Sequence, residues 1–180
     1  YRIEAASRTR EVVTGIPTGF IDLDYKTSGL QPSDLVLIAA RPSMGKTAFV
    51  LNMVQHIAMK KELPCMIFSL EMSSEQLVQR MLAMETGIDS QKLRTGNLND
   101  NDWDPLIRGV VDVSDSKIII DDTPGISVGE LRSKCRKVKL EKGLSIVIID
   151  YLQLMTGSSK RSENRQQEIS EISRSLKALA

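Results

Sequence analysis

The sequence has few aromatic residues, a single histidine and almost no excess charge. Aromatic side chains make up 4% of the 180 residues, and the formal net charge is +1. A chain so close to neutral is not a basic nucleic-acid binder as a whole. Any contact with nucleic acid must therefore come from a local patch or from segments outside this sequence. The single histidine, His56, falls within a predicted helix and is interpreted as an ordinary helix residue.

Cysteine and long hydrophobic runs are also scarce. Cys65 begins an apolar run and Cys135 has an apolar helical spacing. Both are predicted to be small buried side chains in a reducing compartment, and neither a disulfide nor a metal pair is expected. No apolar stretch is long enough to span a bilayer, and the start at Tyr1 has no signal-peptide pattern. From these absences we expect a cytoplasmic protein that does not contact membranes.

Four short apolar runs alternate with helical patterns along the chain. The runs lack hydrophobic–polar alternation, which is typical of strands covered on both faces in a parallel sheet. They occupy residues 34–39, 65–70, 117–120 and 145–149. Helices are predicted over about residues 20–26, 99–113 and 169–179, and another follows residue 47. Two more are predicted to start at the capping boxes Ser73–Gln76 and Ser127–Glu130. The order predicts an α/β domain over residues 14–180, with a mostly parallel sheet between helices, after a linker or arm over residues 1–13.

The strongest chemical motif is a candidate phosphate-binding loop between a predicted strand and a predicted helix. It matches the pattern Gly, four residues, Gly-Lys-Ser/Thr except at its first position, which is alanine. The candidate nucleotide-binding residues are Ala40, Arg41, Pro42, Ser43, Met44, Gly45, Lys46 and Thr47. Because backbone N–H groups at a helix start attract anions, this loop is predicted to bind the phosphates of ATP.

Individual residues of this loop have separate predicted roles. Gly45 lets the backbone come close to the phosphates, since it has no Cβ. Lys46 reaches the β- and γ-phosphates and so takes part in catalysis, and the Thr47 hydroxyl ligates Mg²⁺. The alanine at position 40 costs little if its backbone φ is not positive. The alternative interpretation is a strand-to-helix turn that contains Gly-Lys-Thr by chance.

Two acidic residues follow predicted strands, and in a parallel sheet such strand ends share one edge. Asp150 ends the run 145–149 and is predicted to hold Mg²⁺, directly or through water. Glu71 follows the run 65–70 and is a candidate base that orients and deprotonates the attacking water. Its alternative is a helix-start acid that precedes the Ser73 cap. Asp150 has the simpler alternative of an aspartate that only ends a strand.

At these residues the chain resembles the DnaB-type bacterial replicative DNA helicases, in their C-terminal RecA-like ATPase domain. The resemblance rests on five blocks in the family's order that cover nearly the whole chain. They are TGIPTGFIDLD (14–24), ARPSMGKT (40–47), FSLEMS (68–73), IDYLQL (149–154) and NRQQEISEISR (164–174). Relatives also have alanine in place of the first loop glycine.

The resemblance implies a RecA-like P-loop core that uses ATP and Mg²⁺ and works as a ring of six to unwind DNA at the replication fork. It implies that Glu71 is the catalytic base, and it supports Lys46, Thr47 and Asp150 as nucleotide and magnesium ligands. Single-stranded DNA, primase and a helicase loader are the implied partners. Two alternatives remain: another RecA-like ATPase, of recombinase, clock or repair type, and a nucleotide-binding module without significant hydrolysis.

The family's domain also continues past residue 180, so the chain is expected to be truncated. The missing parts would be a sensor-glutamine strand, the main DNA-contacting loops and the arginine finger, and before Tyr1 a primase-binding domain. The fragment itself is therefore expected to hydrolyse ATP very slowly. The missing strand would lie between the runs 35–39 and 146–149. We expect that these runs pair directly, that another chain fills the gap, or that a cleft is left in a poorly stable sheet.

Two basic stretches have open interpretations. One is a helix that carries Arg132, Lys134, Arg136, Lys137, Lys139 and Lys142. The alternatives are a solvated surface and a contact with a subunit or a phosphate backbone. The other is the loop with Lys160, Arg161 and Arg165, which either faces DNA or is a flexible surface loop. Neither stretch contains an aromatic platform, so base stacking is not indicated.

Overall fold

The computed structural model of this chain describes residues 13–156 and 165–180. Nearly all of the predicted arm and of the loop at 156–165, including Lys160 and Arg161, lies outside the described residues. The helices are α1 (Ile21–Thr27), α2 (Lys46–Gln55), α3 (Ser74–Thr86), α4 (Ser90–Thr95), α5 (Asp100–Asp115), α6 (Val128–Lys142) and α7 (Arg165–Leu179). A π-helical turn, His56–Lys60, continues α2. Among the described residues, no helix has the length and apolarity needed to cross a membrane.

The sheet of the described residues has three parallel strands in the order β2-β1-β3. They are β1 (Cys65–Ser69), β2 (Ile118–Asp121) and β3 (Ile146–Asp150). Cys65 is paired with Ile118 on one side and Ile146 on the other, and Ser69 is paired with Asp150. Because all three strands run the same way, their carboxyl ends lie at one edge, as the sequence predicts.

Two hydrophobic clusters cover the two faces of β1, and its side chains alternate between them. Cys65 and Ile67 belong to one cluster, which is formed with α2 and α3. Met66 and Phe68 belong to the other, which is formed with α6 and α7. Every residue of β1 is buried, so its short apolar run is explained by packing on both sides. Both cysteines are buried and free, which confirms their interpretation as apolar core residues.

The predicted strand at residues 34–39 is not formed, and that prediction is wrong. In the part of the chain that the structure describes, this run joins no sheet, and β3 is left as an edge strand. Val36, Leu37 and Ile38 are 55%, 68% and 40% exposed. A strand needs partners for its N–H and C=O groups, and this run pairs with no strand of the described residues, not even with the open edge of β3. Direct pairing of this run with β3 is therefore wrong for the described residues.

Two helix starts agree with the sequence, whereas α7 begins at Arg165, four residues before the predicted start at residue 169. Ser73 caps α3 and Ser127 caps α6, each in the predicted capping box, with Gln76 and Glu130 respectively. α1 ends at Thr27, and its C-cap residue, Ser28, has a left-handed backbone. α4 was not anticipated by the sequence, where its short polar pattern gives little signal.

Residues 14–30 form a strap that packs beside the end of α2. The buried carboxylate of Asp24 accepts hydrogen bonds from the N–H and hydroxyl of Thr18, at 2.8 and 2.7 Å, and from the N–H of Gly19 at 3.2 Å. A Cβ at Gly19 would lie 2.6 Å from Cγ of His56. His56 is therefore a packing residue of the helix, in line with its interpretation from sequence.

Candidate nucleotide and metal site

A helix follows the candidate phosphate loop, as the sequence predicts. Lys46 is the first residue of α2, and Gly45 is its N-cap with a left-handed backbone at φ 85°. A Cβ at Gly45 would meet no protein atom within 4 Å, so the positive φ is what favours glycine within the protein. That open space leaves the positive end of the helix dipole accessible to an anion.

The loop itself, residues 40–45, is exposed to solvent throughout. The N–H of Met44 donates to the carbonyl of Arg41 at 3.3 Å, and Ser43 has a left-handed backbone. Ala40 is not among the residues with positive φ. Alanine therefore fits the position at which the standard pattern has glycine.

Three of the predicted site residues converge although they are far apart in the sequence. The ammonium Nζ of Lys46 lies 2.8 Å from Oδ1 of Asp150. The hydroxyl of Thr47 donates to Oδ2 of the same carboxylate at 2.7 Å. Asp150, the last residue of β3, is only 6% exposed. The start of α2 and the end of β3 thus form one cluster of a cation, a hydroxyl and a buried carboxylate.

The donor set of this cluster fits magnesium held jointly with phosphates. The Thr47 hydroxyl and the Asp150 carboxylate present hard oxygen atoms side by side, next to the cationic Lys46. Magnesium in nucleotide sites is typically bound by one or two protein oxygens, with phosphates and water as the other ligands. The described residues contain no group of three or more His, Cys, Asp or Glu side chains arranged for a metal. A site completed by phosphate suits this arrangement better than an all-protein cage.

Glu71 lies in the exposed turn between β1 and α3, beside the strand that ends at Asp150. The N–H of Leu70 donates to the carbonyl of Asp150 at 2.8 Å. The Ser69 hydroxyl donates to the carbonyl of Met72 at 2.7 Å. The Glu71 side chain itself is exposed, and no hydrogen bond or ion pair joins it to the other described residues.

The start of α3 bears on the two interpretations of Glu71. The hydroxyl of Ser73 accepts from the N–H of Gln76 at 3.4 Å, and the carboxylate of Asp122 accepts from the N–H of Ser74 at 2.8 Å. These acceptors leave Glu71 without a direct part in capping the helix. The interpretation as a helix-start acid therefore lacks a supporting contact, and the role of Glu71 as a base stays a hypothesis.

Sequence reasoning missed three residues at this edge of the sheet. The ring of Tyr151 lies with its centroid 4.2 Å from Nζ of Lys46, a cation–π contact. Asp121 and Asp122 follow the run 117–120 and so satisfy the same strand-end rule that identified Asp150. Applying that rule to all four apolar runs would have identified both acids. No sequence pattern indicates the contact of Tyr151 with Lys46.

Asp121 explains part of the basic pattern on α6. Its carboxylate pairs with the ammonium of Lys134 and accepts from the N–H of Thr123 at 3.1 Å. Burial raises the pKa of Asp121, but the hydrogen bonds from Lys134 and Thr123 lower it by more, so the net pKa lies below the usual range. Lys134 is thus tied to the sheet and is not part of a free basic surface.

Known proteins resemble this chain over nearly its whole length. A family model described as the DnaB-like helicase C terminal domain matches residues 15–180. The replicative DNA helicase DnaC of Bacillus subtilis (strain 168) is 54% identical over 178 residues, which are 99% of this chain and 39% of that protein. The replicative DNA helicase DnaB of Geobacillus stearothermophilus is 58% identical over 168 residues, which are 93% of this chain and 37% of that protein. The chain therefore spans less than half of the length of these relatives.

Solved structures show the same fold. A DnaB-like replicative helicase, described with its interactions with primase, superposes with a TM-score of 0.91 at 35% identity over 99% of this chain and 43% of the other. A second structure, described as an ATPase domain, gives a TM-score of 0.93 at 35% identity over 99% of this chain and 63% of the other. The predicted fold class, an α/β RecA-like core with a parallel sheet between helices, is confirmed.

Proposed function

Because this chain belongs to the family of DnaB-like helicase C-terminal domains, we propose that it is the ATP-hydrolysing motor of a replicative DNA helicase. The observation that carries the proposal is the convergence of Lys46 and Thr47, at the start of α2, on the Asp150 carboxylate at the end of β3. A cation and two hard oxygen ligands at a helix N-terminus are what a magnesium–triphosphate complex requires.

The residues of the loop and of α2 have distinct parts in nucleotide binding. Backbone N–H groups of the loop, which exclude Pro42 because proline has none, and those at the start of α2 would provide donors for phosphate oxygens. Lys46 supplies positive charge for the β- and γ-phosphates, and it would exchange its contact with Asp150 for contacts with them. Thr47 and Asp150 would hold Mg²⁺, which neutralises phosphate charge and fixes the orientation of the phosphates.

Glu71 is the proposed general base. It is exposed at the same sheet edge as Asp150, because the turn that carries it is hydrogen-bonded to the end of β3. A carboxylate there can orient a water molecule and accept its proton as the water attacks the γ-phosphorus, whose bond to the bridging oxygen breaks so that ADP leaves. The absence of a hydrogen bond from Glu71 to other described residues leaves its carboxylate available for that water.

The assembly and the partners are part of the same proposal. We infer a homohexamer that acts on single-stranded DNA in the bacterial cytoplasm, with primase and a helicase loader as partners. One similar solved structure is described with its primase interactions, and the curated relatives are replicative helicases. The main DNA contacts and an arginine finger would come from segments outside this sequence. That arginine finger would serve the site of a neighbouring subunit.

The test is steady-state ATP hydrolysis by the full-length protein, with and without single-stranded DNA, together with unwinding of a forked duplex. Hydrolysis stimulated by DNA and coupled to unwinding is the expected result. Hydrolysis without unwinding, but with strand exchange, would favour a recombinase-type ATPase. Nucleotide binding without hydrolysis under any of these conditions would favour the nucleotide-binding module.

A pair of substitutions tests the base directly. Glu71→Gln should keep nucleotide binding and reduce hydrolysis by roughly 10²–10⁴-fold, the usual contribution of a general base. Glu75→Gln is the matched control, since Glu75 is an exposed acid in the first turn of α3. Hydrolysis retained by Glu71→Gln would contradict the proposed role and return Glu71 to the helix-start interpretation.

A further inference from the structure

The end of β2 is connected to the start of α3 by one side chain. The carboxylate of Asp122 accepts the backbone N–H of Ser74, the first residue of α3, at 2.8 Å. The two residues are 48 positions apart, so this contact joins separate elements of the fold. Hydrogen bonds from Ser74 hold the pKa of Asp122 below its usual range, so the carboxylate is charged near neutral pH.

The strand end that carries Asp122 is itself fixed. The preceding residue, Asp121, is the last of β2 and pairs with Lys134 of α6. The Lys134 ammonium also donates to the Thr123 hydroxyl at 2.8 Å. Asp122 therefore lies between two residues that are tied to α6, and it can act as a fixed point for the turn that it contacts.

That turn carries Glu71, and each of its ends is anchored. At its start, the N–H of Leu70 is bound to the carbonyl of Asp150. Within it, the Ser69 hydroxyl is bound to the carbonyl of Met72. At its far end, Ser74 is bound to Asp122. The position of Glu71 along the sheet edge thus depends on β3 at one end and on β2 at the other.

We propose that Asp122 is a positioning residue for Glu71, and that it acts by fixing the start of α3 against the end of β2. The inference rests on the proposed role of Glu71 as the base. A base must lie within hydrogen-bond reach of the water that it activates, and a displacement of about 1 Å can cost up to about 10²-fold in rate. The competing explanation is that Asp122 only stabilises α3, as an N-cap does.

The kinetic prediction separates these explanations. In the full-length protein, Asp122→Ala should lower kcat for ATP hydrolysis about tenfold, within the range for a misplaced catalytic group. KM for ATP and the affinity for nucleotide should change by less than about twofold, because Asp122 contacts the start of α3 and not the candidate phosphate loop. Asp122→Asn keeps an acceptor oxygen for the Ser74 N–H and should retain most of the kcat.

Two controls make the result specific. Ser127→Ala removes the side-chain cap of α6, so it reports what the loss of a helix cap alone does to kcat. A fall in kcat with Ser127→Ala as large as with Asp122→Ala would overturn the proposal. The double variant Glu71→Gln with Asp122→Ala should hydrolyse ATP as slowly as Glu71→Gln alone, since the second change acts through the first residue.

The outcomes distinguish this inference from the proposed function. If Glu71→Gln abolishes hydrolysis while Asp122→Ala matches the unchanged protein, the positioning role is wrong and the base assignment stands. If the losses of the two single variants multiply in the double variant, Asp122 acts independently of Glu71 and the inference is also wrong. If Glu71→Gln keeps full hydrolysis, the base assignment fails, and the inference fails with it.

Discussion

Two apolar runs of similar composition adopt different structures in this molecule. Ile146–Asp150 forms β3, which is hydrogen-bonded to β1 along its whole length. Residues 35–39 have an equally apolar sequence, yet they pair with no strand among the described residues, and three of their side chains are largely exposed. An apolar sequence alone therefore does not make a strand here, as expected for a context-dependent propensity.

The two parts of the candidate site differ in burial in the same way as the two runs that precede them. Asp150 follows the paired run, and its carboxylate is buried at the sheet edge. The candidate phosphate loop follows the unpaired run and is exposed over residues 40–45. The two parts are joined at Lys46 and Thr47, whose side chains both contact Asp150. The sheet therefore fixes one half of the site, and the start of α2 fixes the other.

The largest expected difference between the two regions is in thiol reactivity. Burial raises the pKa of Cys65 to about 12. Burial and, to a lesser extent, the charge of Asp121 raise the pKa of Cys135 to about 11. In Ala39→Cys, the new thiol lies in the exposed run and should react at pH 8 about a hundredfold faster or more than the two native thiols. Timed alkylation with mass spectrometry measures this. Equal rates for all three thiols would break the contrast between buried sheet and exposed run.

Truncation of a side chain should destabilise the protein more in the buried strand β1 than in the exposed run 35–39. Ile67→Ala removes a fully buried side chain of β1 and should lower the free energy of unfolding by about 2–5 kcal/mol. Leu37→Ala, in the exposed run, should change it by no more than about 0.5 kcal/mol. Urea denaturation of both variants measures the difference. A loss from Leu37→Ala that approaches the loss from Ile67→Ala would mean that the run is packed in solution.

The smallest predicted difference concerns two ion pairs, one at the end of β2 and one at the start of the run. Asp121→Asn, which weakens the pair with Lys134, should cost about 1–2 kcal/mol at neutral pH. Asp34→Asn should cost at most about 0.5 kcal/mol, because the contact of Asp34 with Lys177 is 3.9 Å long and half-exposed.

The pH dependence of the Asp121 effect has a definite sign. The folded pKa of Asp121 is lowered, so its contribution is fully present above the unfolded pKa of about 3.9 and is lost as the pH falls through the folded pKa. The difference between Asp121→Asn and the unchanged chain should therefore shrink below about pH 4. Thermal unfolding between pH 7 and pH 3 measures it, and a difference that grows on acidification would contradict the pairing.

Sequence reasoning recovered the features that local chemistry determines. The capping boxes at Ser73 and Ser127 fix helix starts through side-chain acceptors a few residues away, and the apolar runs at β1 and β3 match strands of the sheet. The failures have a common cause in long-range contacts. The run 35–39 pairs with no strand, and the contacts of Asp122 and Tyr151 depend on which elements meet at the sheet edge.

The most direct test of the nucleotide site is calorimetric titration of Mg-ATP and Mg-ADP into the protein and two lysine variants. Lys46→Ala should lose most of the affinity, because in the proposed site no other group replaces the charge that faces the phosphates. Lys60→Ala is the matched control, since Lys60 is an exposed lysine in the turn that ends the same helical segment, and it should bind nucleotide as the unchanged protein does. Equal binding by Lys46→Ala and Lys60→Ala would contradict the account of the site.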